Sequence, residues 1–200
     1  MQRWSSLWLT LCLPFGVEAQ ERPGLHRCEG CEAIYEHPFD DLSWRTVIPL
    51  SSEPGELLIL TGRVYHSDGE TPAPDVVVYA YHTNDDGVYP TRGSEQGWAR
   101  RHGYLRGWVK TNAAGEYRFE TIRPATYPSR TEPAHIHMTI KEPDRQEYWI
   151  EAVVFTDDPL VTIAYRAAEE GRGGSGIVTP VRDSHGIWIV RRDIILEPRS

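Results

Sequence analysis

No stretch of this 200-residue chain is apolar for long enough to span a bilayer, which takes about 20 residues. Basic residues are also scarce: 21 Lys and Arg stand against 29 Asp and Glu, a formal charge of −8, and no basic stripe is present. Membrane insertion and phosphate-backbone binding are therefore poor explanations of the chain, and neither a membrane nor a nucleic acid is expected as partner. A small molecule is the better candidate. There are only three cysteines, too few for a disulfide scaffold. Internal repeats and low-complexity tracts are absent. The glycine-rich "GRGGSG" of residues 171–176 lacks the Lys-Ser/Thr of a phosphate-binding loop.

The first nineteen residues have a basic start at Arg3, an apolar stretch from Leu7 to Val17 and a small-residue end at Val17-Glu18-Ala19. This pattern predicts a signal peptide over 1–19 and a secreted or periplasmic mature protein beginning near Gln20. Its loss removes one Arg and one Glu, so the charge stays at −8. Cys12 goes with it, leaving Cys28 and Cys31 in "HRCEGCEAIY". In an oxidising compartment the pair is expected to form a local disulfide that ties down the N-terminal segment, remote from any metal site. A second CxxC for zinc is missing, and Glu32 stands where haem attachment needs His.

From Leu57 onward short runs rich in Val, Ile, Tyr, Trp and Thr alternate with turn signals such as Ser67-Asp68-Gly69, Asp86-Gly87, Ala114-Gly115 and Glu142-Pro143-Asp144. The spacing predicts an all-β sandwich. Only residues 159–171, "PLVTIAYRAAEEG", have helical character. Residues 20–55 carry several prolines and little periodicity, and read as an N-terminal arm held by the cysteine pair, with the domain itself over 56–200. Within "EPAHIHM", residues i and i+2 of a strand share a face, so His135 and His137 project together while Ile136, Met138 and Ile140 point into a core. Two imidazoles so placed can share a metal ion or simply line a solvated face. Tyr89 and Tyr127 lie in proline-bounded loops, where a tyrosine alone is most often a rim residue.

As an ordered series these segments resemble the intradiol ring-cleavage dioxygenases, the catechol and protocatechuate 3,4-dioxygenase family. "LTGRVYHSDGETPAPDVVVYAYHTNDDGVY" is similar to the segment ending in the first tyrosine ligand, "VKTNAAGEYRFETIRPATYP" to the unit leading to the second, "PAHIHM" to the two-histidine strand and "VVFTDDP" to the strand after it. The resemblance spans roughly residues 57–160 and implies a single β-sandwich of the intradiol, transthyretin-like type. It also implies Tyr89, Tyr127, His135 and His137 as ligands of a non-haem Fe(III), with Tyr127 displaced as a base when an aromatic diol binds. The implied reaction is cleavage of a catechol ring by O2 to a muconate-type diacid. Two phenolates with two imidazoles suit a hard trivalent ion, although copper or zinc also takes such donors.

Three positions depart from the family pattern. Glu132 stands where an arginine is expected, Ser129 where a tryptophan is common, and Ala152 where a glutamine is expected. Glu132 is thus a second catalytic candidate, with the sign of its charge reversed, and Arg130 or Arg101 is placed to neutralise it. These changes leave two readings: a dioxygenase with a divergent substrate, or a non-catalytic transthyretin-like module that binds a metal or a catechol. His66, His82, His102 and His185 show no ligand spacing and are expected to be structural. The helical dimerisation segment of catechol 1,2-dioxygenases is not legible, so an oligomer is left open.

Overall fold

A computed structural model describes residues 22–48 and 53–199. The expected signal peptide over 1–19 and part of the arm lie outside the described residues. The strands are β1 (Arg45–Val47), β2 (Leu57–Tyr65), β3 (Val77–His82), β4 (Arg106–Lys110), β5 (Glu116–Ile122), β6 (His135–Lys141), β7 (Tyr148–Phe155), β8 (Ile177–Val178), β9 (Val181–Arg182), β10 (Trp188–Arg191) and β11 (Ile194–Ile195). One sheet runs β1-β5-β2-β10-β9 with β11 also on β2, and the other runs β4-β3-β6-β7-β8. The two faces pack as a sandwich, and nearly all of the chain's regular structure is β. Two short helices, α1 (Ala99–His102) and α2 (Ile163–Ala168), sit in the connections. Among the described residues no helix is long and apolar enough to cross a membrane.

The alternation legible in the sequence sets the layers. In β2 every second residue from Leu58 to Val64 is buried, and Leu58, Leu60 and Val64 meet Ile136, Met138 and Ile140 of β6 in one core. That confirms the inward face of β6 and leaves His135 and His137 on the opposite one. The arm is more than a covering strap. Its β1 adds in parallel to β5, pairing Arg45 with Arg118 through Val47 with Glu120, and a 3-10 turn over Cys31–Glu36 buries Ala33 and Ile34 against Tyr79. The β-prone stretch "GIWIVRRDIIL", residues 186–196, divides into β10 and β11 at Arg192–Asp193.

Candidate metal centre and adjoining cleft

Two loops and one strand bring the four candidate ligands together. Asn84, after β3, accepts the amides of Asp86 and Val88 on its side-chain oxygen and that of Gly87 on its carbonyl, a tight turn that delivers Tyr89. The same carbonyl accepts the Ala125 amide at 3.0 Å, and the Thr83 hydroxyl donates to the Ala125 carbonyl at 2.7 Å. The two tyrosine-bearing loops are therefore stitched to each other. Gly87, at φ +77°, lets them touch: a Cβ there would stand 2.0 Å from the Thr126 carbonyl oxygen.

The four polar atoms converge. Tyr89 Oη lies 2.6 Å from Tyr127 Oη and 3.0 Å from His137 Nε2. Tyr127 Oη lies 3.1 Å from His135 Nε2 and 3.4 Å from His137 Nε2, and the two imidazole nitrogens are 3.0 Å apart. Donors each about 2 Å from one shared first-row ion stand about 3 Å from one another, so the set fits such an ion. His135 Nδ1–H donates to the Pro133 carbonyl at 2.7 Å, which fixes the tautomer and leaves the Nε2 lone pair facing the cluster. Among the described residues no group of three His, Cys, Asp or Glu is placed to hold a metal; the cluster here pairs two imidazoles with two phenols.

Without a cation His137, Tyr89 and Tyr127 are neutral near pH 7. Burial, and then the neighbouring His135, push His137 down to about 3. Burial, followed by the bond to Tyr127 and the Tyr127 and Tyr81 phenols, holds the Tyr89 phenol far above its usual value, and burial also raises Tyr127. Glu132 raises both phenols further, so its charge is felt at the cluster. The side chain is exposed and has no ion pair among the described residues. Arg101 pairs with Glu29 instead. Ser129 is exposed and within 3.0 Å of the Thr131 hydroxyl.

Beside His137 opens a cleft of about 390 Å³, within the range of small-molecule sites, about 300–1,000 Å³. Tyr81 and His137 form its base, Trp149 to Ala152 of β7 one side, and Tyr165 of α2 and the Cys28–Cys31 disulfide the others. Pairing of β6 with β7 shifts between Ile136 and Met138, placing Glu151 and Ala152 opposite the single His137. Ala152 thus lines the cleft. One expectation needs correction: the disulfide forms, but it walls the cleft beside His137. His102 is buried and structural, and its ring stacks 3.8 Å from Tyr81, which in turn lies 4.5 Å from His137. Tyr81 and Tyr165 escape a reading of motifs because nothing in their spacing marks them; only the pairing of β3 with β6 sets Tyr81 opposite His137.

A β-sandwich with a two-tyrosine, two-histidine cluster at one end of a sheet defines the class. The family described as Dioxygenase matches residues 38–172, and the chain belongs to the intradiol dioxygenase family. It is 30% identical over 130 residues to the protocatechuate 3,4-dioxygenase beta chain of Burkholderia cepacia, covering 62% of this chain and 55% of that one. It is 29% identical over 108 residues to catechol 1,2-dioxygenase 2 of Acinetobacter lwoffii, covering 46% and 38%. The chain spans about half the length of these curated relatives. The fold matches the dioxygenase domain of a dioxygenase carbohydrate-binding protein fusion from Streptomyces sp. SirexAA-E, with TM-score 0.61, 21% identity, and coverage of 91% of this chain and 99% of that one. It also matches catechol 1,2-dioxygenase from Acinetobacter sp. ADP1, with TM-score 0.60, 22% identity, and coverage of 79% and 58%.

Proposed function

We propose that this chain is a non-haem iron(III) intradiol dioxygenase that cleaves a catechol-type ring with O2 to a muconate-type diacid. The convergence of Tyr89, Tyr127, His135 and His137 within 2.6–3.4 Å of one another carries the reading. Iron(III), when bound, supplies the positive charge that makes two phenolates stable and draws electron density from a coordinated catecholate. The chain's own groups do the rest. His135, held through Nδ1 by Pro133, presents a fixed Nε2. Tyr127, on a half-buried loop, would be placed to take a substrate hydroxyl proton on Oη. The disulfide, Tyr81 and Trp149 wall the adjoining cleft.

Glu132 sorts substrates by charge. Two unit charges about 4 Å apart interact by about 4 kcal/mol at an effective dielectric of 20; at an exposed carboxylate screening leaves a fraction of that. Neutral or cationic catechols are therefore preferred over carboxylated ones. Export rests on residues 1–19 and on a disulfide that needs an oxidising compartment, and N-terminal sequencing of secreted protein tests it. The main experiment reconstitutes the protein with Fe(III), records the phenolate-to-iron band and follows O2 uptake with catechol, an aminoalkyl catechol and protocatechuate, in wild type and Glu132→Arg. Expected are a coloured protein, O2 uptake with catechol, and a catechol preference that the charge reversal weakens. Glu132 in place of the family arginine favours a second reading, a binding module. Colour and catechol binding without O2 uptake would select it, and absence of colour would remove the iron-tyrosinate centre.

A further inference from the structure

The cysteine turn touches the centre along two routes. Gly30, between the two cysteines at φ +88°, is pressed onto His102: a Cβ there would stand 2.9 Å from Nε2 and 3.3 Å from the Trp98 ring. The His102 ring lies face to face with Tyr81, 3.8 Å between centroids and 6° between planes, and Tyr81 lies over His137 at 4.5 Å and 15°. The second route is direct. The Thr139 hydroxyl, two residues beyond His137 on the same face of β6, donates to Cys31 Sγ at 3.6 Å. Helix α1, which carries His102, is itself bound to the arm by the Arg101–Glu29 ion pair and by the Glu36 carboxylate, which accepts the Trp98 amide at 2.7 Å. His102 Nδ1 and the Tyr79 hydroxyl, 2.8 Å apart, complete the seat.

We propose that the Cys28–Cys31 turn is a positioning element of this site: seated through Gly30 on His102, it fixes the Tyr81 ring that lies over His137, and so sets the orientation of that imidazole and the width of the cleft beside it. A loop closed across three residues gains little by restricting the unfolded chain. The larger consequence of the bond is local, because it holds the left-handed Gly30 against the imidazole below. Tyr81 and His102 act through His137 and are positioning residues, not catalytic ones. The proposal rests on the reading of His137 as a ligand for its effect on catalysis, but not for the coupling itself.

The coupling is tested first on the metal-free, full chain by NMR of the histidine rings. Cys28→Ser/Cys31→Ser and Gly30→Ala are expected to displace the His102 and His137 ring resonances, whereas Tyr81→Phe, which keeps the stacked ring, leaves His137 near its wild-type position and Tyr81→Leu does not. Should the serine double variant fail to fold, Gly30→Ala carries the test with the disulfide intact. An unmoved His137 resonance in folded protein with the turn opened or strained would overturn the proposal and make the disulfide a staple for the arm only. On iron-loaded protein of equal iron content, the kcat/KM ratio of catechol to a bulky 4-alkyl catechol should change about tenfold, since a displacement near 1 Å at a reacting centre costs up to about a hundredfold. An unchanged ratio would overturn the specificity role. If wild type turns over no catechol, the proposed function fails while the ring resonances still decide the coupling.

Discussion

Replacing Gly87 by alanine should separate the two tyrosines. The added Cβ would stand 2.0 Å from the Thr126 carbonyl oxygen, 2.9 Å from its carbonyl carbon and 3.3 Å from Tyr127 Cα. A carbon meets a carbonyl oxygen without strain at about 3.3 Å, so the loops must part by about 1.3 Å. The backbone adds its own penalty, because φ is +77° and a left-handed conformation costs an L-residue about 1–2 kcal/mol. Gly93→Ala separates the two effects: φ there is +87° and nothing lies within 4 Å, so only the backbone penalty applies. Metal–ligand distances tolerate about 0.2 Å, and disturbance of the groups that orient ligands costs about 10–100-fold in affinity. Gly87→Ala should therefore lose iron to a chelator at least that much more readily and weaken or shift the tyrosinate band, while Gly93→Ala melts slightly lower and keeps both. Equal iron retention and an unchanged band in Gly87→Ala would refute the idea that this close approach sets the tyrosine spacing.

Acid should destabilise the fold through histidines that are not ligands. Burial first, and then the neighbouring His135, hold His82 at about 4, and burial followed by Arg106 holds His102 at about 4. Both are neutral when folded but protonate near 6.5 when unfolded, so stability is full above about pH 6.5 and falls towards pH 4, by about 1.4 kcal/mol per pH unit for a fully buried histidine. Denaturant melts between pH 7.5 and 4.5 check this, and a flat profile would contradict it. Arg192→Met should be neutral or stabilising. The side chain is fully buried and donates through Nη1 to the Glu151 carbonyl and, at 3.3 Å, to Met138 Sδ, while Nε and Nη2 have no partner among the described residues. Loss of the charged hydrogen bond to the carbonyl, about 1.5–3 kcal/mol, and of the weaker contact to sulfur is set against relief of a desolvation cost of several kcal/mol. Destabilisation beyond about 3 kcal/mol in thermal or urea melts would mean that those N–H groups are satisfied in the folded protein. His137→Ala should abolish iron binding while leaving the β-sandwich folded, read by metal analysis and far-UV circular dichroism; retained stoichiometric iron would remove His137 from the ligand set.

Much of the sandwich was legible because a half-buried strand must alternate. The runs rich in Val, Ile, Tyr and Thr from Leu57 onward became β2, β5, β6 and β7, and the HxH spacing alone put both imidazoles on one face. Short strands without alternation were not legible: β1, β8 and β9 exist because a neighbouring edge offers hydrogen bonds, not because their own residues demand extension. The four candidate ligands stood out through their likeness to a family. That they converge was decided by tertiary contacts, above all Asn84 binding both tyrosine loops and Gly87 admitting their close approach. Pairing of β3 with β6 likewise set Tyr81 over His137, and the arm's path brought Cys28 and Cys31 to the cleft. Periodicity reports which side of an element is apolar, and that is a local property. Which loop meets which, and what a disulfide leans on, depends on residues tens of positions apart and is fixed only when the two sheets close on their common core.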